Sequence, residues 1–209
     1  MRRLFFVFVM GLVTAGGGGA RADPASAVSV QQIGAISRVS ITQGGTGNQA
    51  TVDQSTGAGA VDLAQDGSQN TASITQSGAG YGHASLSQSG AANAASLSQG
   101  SGDNAAVVQQ AGLGNQATLR QQAPGGGANQ AFLSQAGSFN AASLTQQGSN
   151  NSAALSQMGV GNAQSVVQNG DNNHAAYSQI GNGLPDLAVT QTGGMSVSIS
   201  QSASPFAGH

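Results

Sequence analysis

Residues 146–156 read QQGSNNSAALS, and the eleven-residue pattern they contain decides the fold. The stretch opens on Gln146, passes Gly148 and Asn151, and ends in an alternating run through Ala153 and Leu155 to the next glutamine, Gln157. Working outward in both directions, glutamines recur at Gln32, Gln43, Gln54, Gln65, Gln76, Gln88, Gln99, Gln110, Gln121, Gln135, Gln146, Gln157, Gln168, Gln179, Gln191 and Gln201. Eleven of the fifteen intervals repeat the spacing from Gln146 to Gln157; two are one position longer, one is three longer and one is one shorter. A fixed short period marks a repeat architecture, in which each unit buries its apolar face only by stacking on its neighbours.

Aligned on the glutamines, the unit is Gln-x-Gly-x-x-Asn-x-Ala-x-h-x, with h apolar. Position h holds Ile41, Val52, Leu63, Ile74, Leu86, Leu97, Val108, Leu119, Leu133, Leu144, Leu155, Val166, Tyr177, Val189 and Ile199. Two residues earlier the chain is apolar in fourteen of fifteen units, mostly alanine, with Gln164 the exception. Alternation of this kind is the mark of a strand with one buried face. The glycine permits positive φ, and asparagine tolerates the left-handed region, so the remainder of the unit is turn chemistry. An eleven-residue period also suits a right-handed helical supercoil, but Gly, Asn and Ser throughout are poor helix formers.

Each unit is therefore expected to be a five-residue strand of about 17 Å followed by a six-residue turn. Sixteen such half-repeats, from Val28–Gln32 to Val197–Gln201, pair into about eight 22-residue coils. The fold class expected is all-β: a two-strand-per-coil β-solenoid over residues 28–201 with cross-β stacking, a rod roughly 38 Å long at 4.7–4.8 Å per coil.

That fold turns the glutamines inward, where an unpaired amide costs about 1–3 kcal/mol. A stack supplies the partner, because equivalent amides one coil apart can hydrogen-bond along the axis. The sixteen periodic glutamines are the expected structural Gln ladder. Asn48, Asn70, Asn93, Asn104, Asn115, Asn140, Asn151, Asn162 and Asn173 are the expected structural Asn ladder. Gln49, Gln69 and Gln130 fall outside the period and are expected on the surface. A one-residue slip would turn every ladder outward, so the pattern also fixes register.

Composition narrows function. Charged residues make up 6%, and the chain has no lysine, glutamate, cysteine or tryptophan. Residues 1–22 read as a cleaved secretory signal peptide: Arg2 and Arg3, an apolar run from Leu4 to Val13, and a small-residue site ending at Ala22. Ten apolar residues are too few to span a bilayer, so no stable membrane insertion is expected. After cleavage two arginines face seven aspartates, which excludes a basic nucleic-acid surface. His83, His174 and His209 are scattered, and the residue types that build most metal and acid–base sites are missing. The expectation is a non-enzyme with no cofactor, no metal and no catalytic residues. Residues 23–27 form a short leading segment and 202–209 a tail. Aspartates such as Asp53, Asp62, Asp66, Asp103 and Asp171 suit either solvated turns or gatekeepers against early aggregation. The segment Gln121–Gln130 and the turn with Pro185 are expected as bulged loops.

The segments QDGSQNTASITQ (65–76), QAGLGNQATLRQ (110–121) and QMGVGNAQSVVQ (157–168) resemble the repeat of the curlins, subunits of the extracellular amyloid fibres called curli. The resemblance spans about residues 28–201. It implies a β-solenoid, secretion through an outer-membrane pore, polymerisation with itself and other curlin-type subunits, and a cell-surface fibre serving adhesion and biofilm matrix. Most half-repeats here are Asn-led, which looks more like the minor, nucleating subunit, but no basic C-terminal coil is present; bulk subunit and nucleator both stay open. The alternative is a soluble secreted solenoid with an adhesive or ice-binding surface. Mixed outward pairs such as Ser40/Thr42, Asp62/Ala64, Val107/Gln109 and Phe132/Ser134 count against it. Solenoids that remain single carry polar capping repeats, and neither the first strand nor the last reads as one.

Overall fold

The computed structural model describes residues 26–32 and 36–203. The expected leader, with its cleavage point at Ala22, and residues 204–209 of the tail lie outside the described residues. Every regular element among the described residues is a strand: β1 (Ala27–Gln32), β2 (Ile36–Thr46), β3 (Gln49–Ser68), β4 (Thr71–Ala91), β5 (Ala94–Gln99), β6 (Asp103–Leu113), β7 (Gln116–Gln122), β8 (Ala128–Ser138), β9 (Ala141–Gln147), β10 (Ser152–Val160), β11 (Ala163–Asn169), β12 (His174–Ile180), β13 (Leu187–Thr192) and β14 (Ser196–Ser202). All pairings are parallel, and each joins residues one coil apart, as in Leu133↔Leu155 and Leu155↔Tyr177.

The strands form two columns. One runs β1, the first half of β3, the first half of β4, β5, β7, β9, β11 and β13. The other runs β2, the second halves of β3 and β4, then β6, β8, β10, β12 and β14. The chain is thus a parallel β-solenoid of eight coils, each spanning two units of the sequence pattern. Between the columns lies a thin core of alanine and one larger apolar residue per strand, including Ala106, Val108, Leu119, Leu133 and Leu155. Alanine opposite leucine lets the columns approach while every strand still buries an aliphatic side chain, worth about 1.5–3 kcal/mol when fully covered.

The strand count differs from the sixteen separate strands expected. β3 and β4 each continue through a corner, pairing Ser55↔Ser77 and Thr56↔Gly78, with a register shift before Ala58↔Tyr81. The corner asparagine is replaced there by Gly59 and Gly82, six residues before Gln65 and Gln88. Without that side-chain amide to fold the corner, the backbone stays extended and paired. The extra residue between Gln76 and Gln88 is absorbed as the irregularity.

In twelve of fifteen units a glycine stands two after the glutamine, and it has a second duty besides its turn. At Gly112 φ is +117°, and a Cβ there would overlap the carbonyl oxygen of Gly137 one coil below. Corners such as this one stack backbone on backbone and leave no room there for a side chain.

Candidate functional site

The structure places the periodic glutamines inside, in two lines along the axis. In one, Nε2 of each residue donates to Oε1 of the next through Gln43, Gln65, Gln88, Gln110, Gln135, Gln157, Gln179 and Gln201, at 2.6–3.1 Å. In the other, Gln54, Gln76, Gln99, Gln121, Gln146, Gln168 and Gln191 do the same at 2.7–3.0 Å. The second amide hydrogen typically reaches a backbone carbonyl across the core, as from Gln88 to Thr71 at 3.0 Å. Gln32 sits in register with Gln54 and is half-buried, but Gln54 Oε1 has no partner, so Gln32 is not joined to the line.

The asparagines occupy the corners and run in the opposite sense. Nδ2 of Asn70, Asn93, Asn115 and Asn140 each donates at 3.1 Å to Oδ1 of the asparagine one coil before it. The same oxygens accept backbone N–H groups, as from Asn162 to Asn140 at 3.1 Å. At the other corner Asn104, Asn129, Asn151 and Asn173 are linked likewise. Asn129 is missing from the nine asparagines expected, because counting forward from Gln121 crosses the inserted loop. Counting back six residues from each glutamine finds it, and the same count brings Ser26 to the corner before Asn48, whose N–H donates to Ser26 Oγ at 3.2 Å.

Gln49, Gln69 and Gln130 lie on the outside. His83 and His174 are exposed, and among the described residues no group of three or more His, Cys, Asp or Glu is placed to hold a metal ion. No helix among them is long and apolar enough to cross a membrane. Asp103 and Asp171 act on corners, each accepting a backbone N–H at 2.7 Å, from Tyr81 and Ser149. Arg38 and Asp62 lie 3.7 Å apart at an exposed site, where an ion pair adds little. Two substitutions disturb the core of the seventh coil. Gln164 takes an alanine place and leaves Oε1 unpartnered; Tyr177 takes the leucine place with its hydroxyl unpartnered, and burial raises its pKa above the ordinary value.

The ends differ from the middle. Val28, Val30, Val39 and Ile41 in the first coil, and Leu187, Val189, Val197 and Ile199 in the last, are only partly buried, whereas their equivalents between are covered. β1 and β2 pair on one side only, as do β13 and β14. Gln43 Oε1 is buried with no partner. Among the described residues, each end leaves one strand edge per column and a set of apolar side chains partly open.

A family model described as "Curlin associated repeat" matches residues 126–159. Residues 126–159 are thus similar to a curlin-type repeat. That match covers β8, β9 and most of β10, and the same glutamine, core and corner positions stack in register above and below it. No match to the chain was found among curated proteins or solved structures.

Proposed function

We propose that this chain is the structural subunit of an extracellular curli-like fibre, growing by stacking of one copy's first coil on another's last coil. The observation that carries the reading is the half-buried state of the eight apolar side chains at the two ends. Apolar area and unpaired strand edges left open together form a template for another chain. A second copy fits because its coils have the same width, ladder positions and strand direction.

The glutamine lines add polarity to this reading. Every amide donates toward the C-terminal end, so the last coil offers Gln201 Nε2 and the first offers Gln43 Oε1. Head-to-tail stacking brings donor to acceptor; head-to-head stacking would oppose two carbonyl oxygens. The fibre is therefore polar. Secretion, cleavage after Ala22 and passage through an outer-membrane pore are proposed with it. Bulk and nucleating roles both suit these ends.

One outer face suits the adhesive part of the role. The irregular pairs Ser40/Thr42, Asp62/Ala64, Val107/Gln109 and Phe132/Ser134 all lie on the β2–β14 column. On the other column Ser29, Thr51, Ser73, Ser96, Thr118, Ser143 and Ser165 fall in one line. This hydroxyl row spans seven coils and ends at Ala188 in the eighth, so each added copy would bring a further seven-residue row.

Ile199→Asp tests the stacking. It places a carboxylate against the next copy's core and is expected to stop elongation, while Ser198→Asp, on the outer face, leaves growth near the unmodified rate. Equal growth of the two variants contradicts the proposal.

A further inference from the structure

The glutamine lines and the asparagine lines do not end at the same place. Counting back six residues from each glutamine gives the corner positions, and the last of these, before Gln191 and Gln201, are Pro185 and Met195. The two asparagine lines therefore stop at Asn162 and Asn173, one coil short of the end. Their final carbonyl oxygens accept the backbone N–H groups of Leu184 at 3.1 Å and Met195 at 3.2 Å. Met195 keeps the corner backbone otherwise intact, since its carbonyl accepts from His174 N–H and from Gln191 Nε2, as Asn104 accepts from Gln99. What it lacks is a side-chain oxygen for a following coil. At the N-terminal end the corresponding positions are Ser26 and Ser37.

We infer that the joint between stacked copies is the weak plane of the fibre, a second copy of this chain being held there by glutamine and strand hydrogen bonds but by no corner asparagine. This rests on the stacking proposed above. In the joint, β1 of the second copy lies against β13 and its β2 against β14, and Gln201 Nε2 donates to Gln43 Oε1 of the second copy. The N–H groups of its Ser26 and Ser37 then face Pro185 and Met195, which offer no side-chain oxygen; the Met195 sulfur already accepts from Thr192 N–H of its own chain at 3.4 Å. Within the chain the matching N–H groups, such as those of Asn140, Asn151 and Asn173, each reach an asparagine Oδ1 at 3.0–3.1 Å. From the fourth coil on, asparagine amides link coil to coil at both corners, and in the coils before it at one corner; both links are withheld where copy meets copy. Subunits can leave and rejoin at fibre ends, and breakage falls between molecules rather than through them.

The experiment uses fibres grown from the full chain and follows the length of single surface-attached fibres after transfer to subunit-free buffer. Met195→Asn restores an acceptor at one corner of the joint and is expected to slow subunit loss about three- to tenfold, the worth of one or two hydrogen bonds. Met195→Leu keeps an apolar side chain and is expected to match the unmodified rate. Met195→Ser, a shorter acceptor of the kind seen at Ser26, is expected between them. Loss of Met195→Asn subunits at the unmodified rate, or equal slowing by Met195→Leu, overturns the inference while leaving the fibre itself in place. Failure of the unmodified chain to form fibres overturns the stacking proposal, and this inference with it.

Discussion

Gln110 shows what one residue contributes. Its Nε2 donates to Gln135 and its Oε1 accepts from Gln88, both at 2.8 Å and both buried. Gln110→Ala leaves two buried amide groups facing a gap, and unsatisfied groups cost about 1–3 kcal/mol each. A loss of about 2–5 kcal/mol is expected in guanidinium unfolding of freshly prepared chain, against less than about 0.5 kcal/mol for Gln49→Ala on the surface. Tyr177→Phe runs the other way. Its hydroxyl is buried with no partner, so removing it is expected to leave stability unchanged or raise it. A drop above about 1 kcal/mol in the same assay would show that the hydroxyl has a partner. The ladder residues were legible in the sequence because inward alternation and a fixed period together leave each glutamine only one place to point. Hydrogen-bond direction was not legible, since either sense of the amide satisfies the same spacing.

At the scale of the element, the corner sets the strand. Where asparagine folds the corner, strands end near their glutamine; where Gly59 and Gly82 replace it, β3 and β4 run on. The loop between β7 and β8 is the converse, three residues too long yet leaving Asn129 fully buried in its line. Removing Ala123, Pro124 and Gly125 restores the spacing of the unit, giving QQGGAN before β8. That deletion is expected to fold with a stability change within about 1 kcal/mol, since loop-closure entropy varies slowly with length. Loss of the β-sheet circular dichroism signal would show that the loop itself organises the corner. Within the strands, Leu133→Ala removes a fully covered side chain from a core with little room to collapse and is expected to cost about 2–5 kcal/mol, measured by denaturant midpoint. Strand positions were legible from Leu133 and its equivalents. The continuous β3 and β4 were not, because a single-unit consensus hides the coils in which a corner residue is replaced.

For the whole molecule, eight coils give a rod with two unlike ends and two unlike outer faces. The outward pairs Ser40/Thr42, Asp62/Ala64, Val107/Gln109 and Phe132/Ser134 all fall on one column, so the hydroxyl row on the other face emerges only when alternate half-repeats are separated. The open ends were legible from Val28, Val30, Val197 and Ile199, which follow the core pattern where a single solenoid would place polar caps. Their polarity comes from the common direction of the glutamine amides, a property of the stack rather than of any unit. The central claim is that the stacking inside one chain continues from copy to copy. X-ray diffraction from aligned material grown from the chain lacking residues 1–22 tests it most directly. The account predicts a sharp meridional reflection at about 4.7–4.8 Å; a chain that stays dispersed under assembly conditions and yields no oriented reflection at that spacing contradicts it.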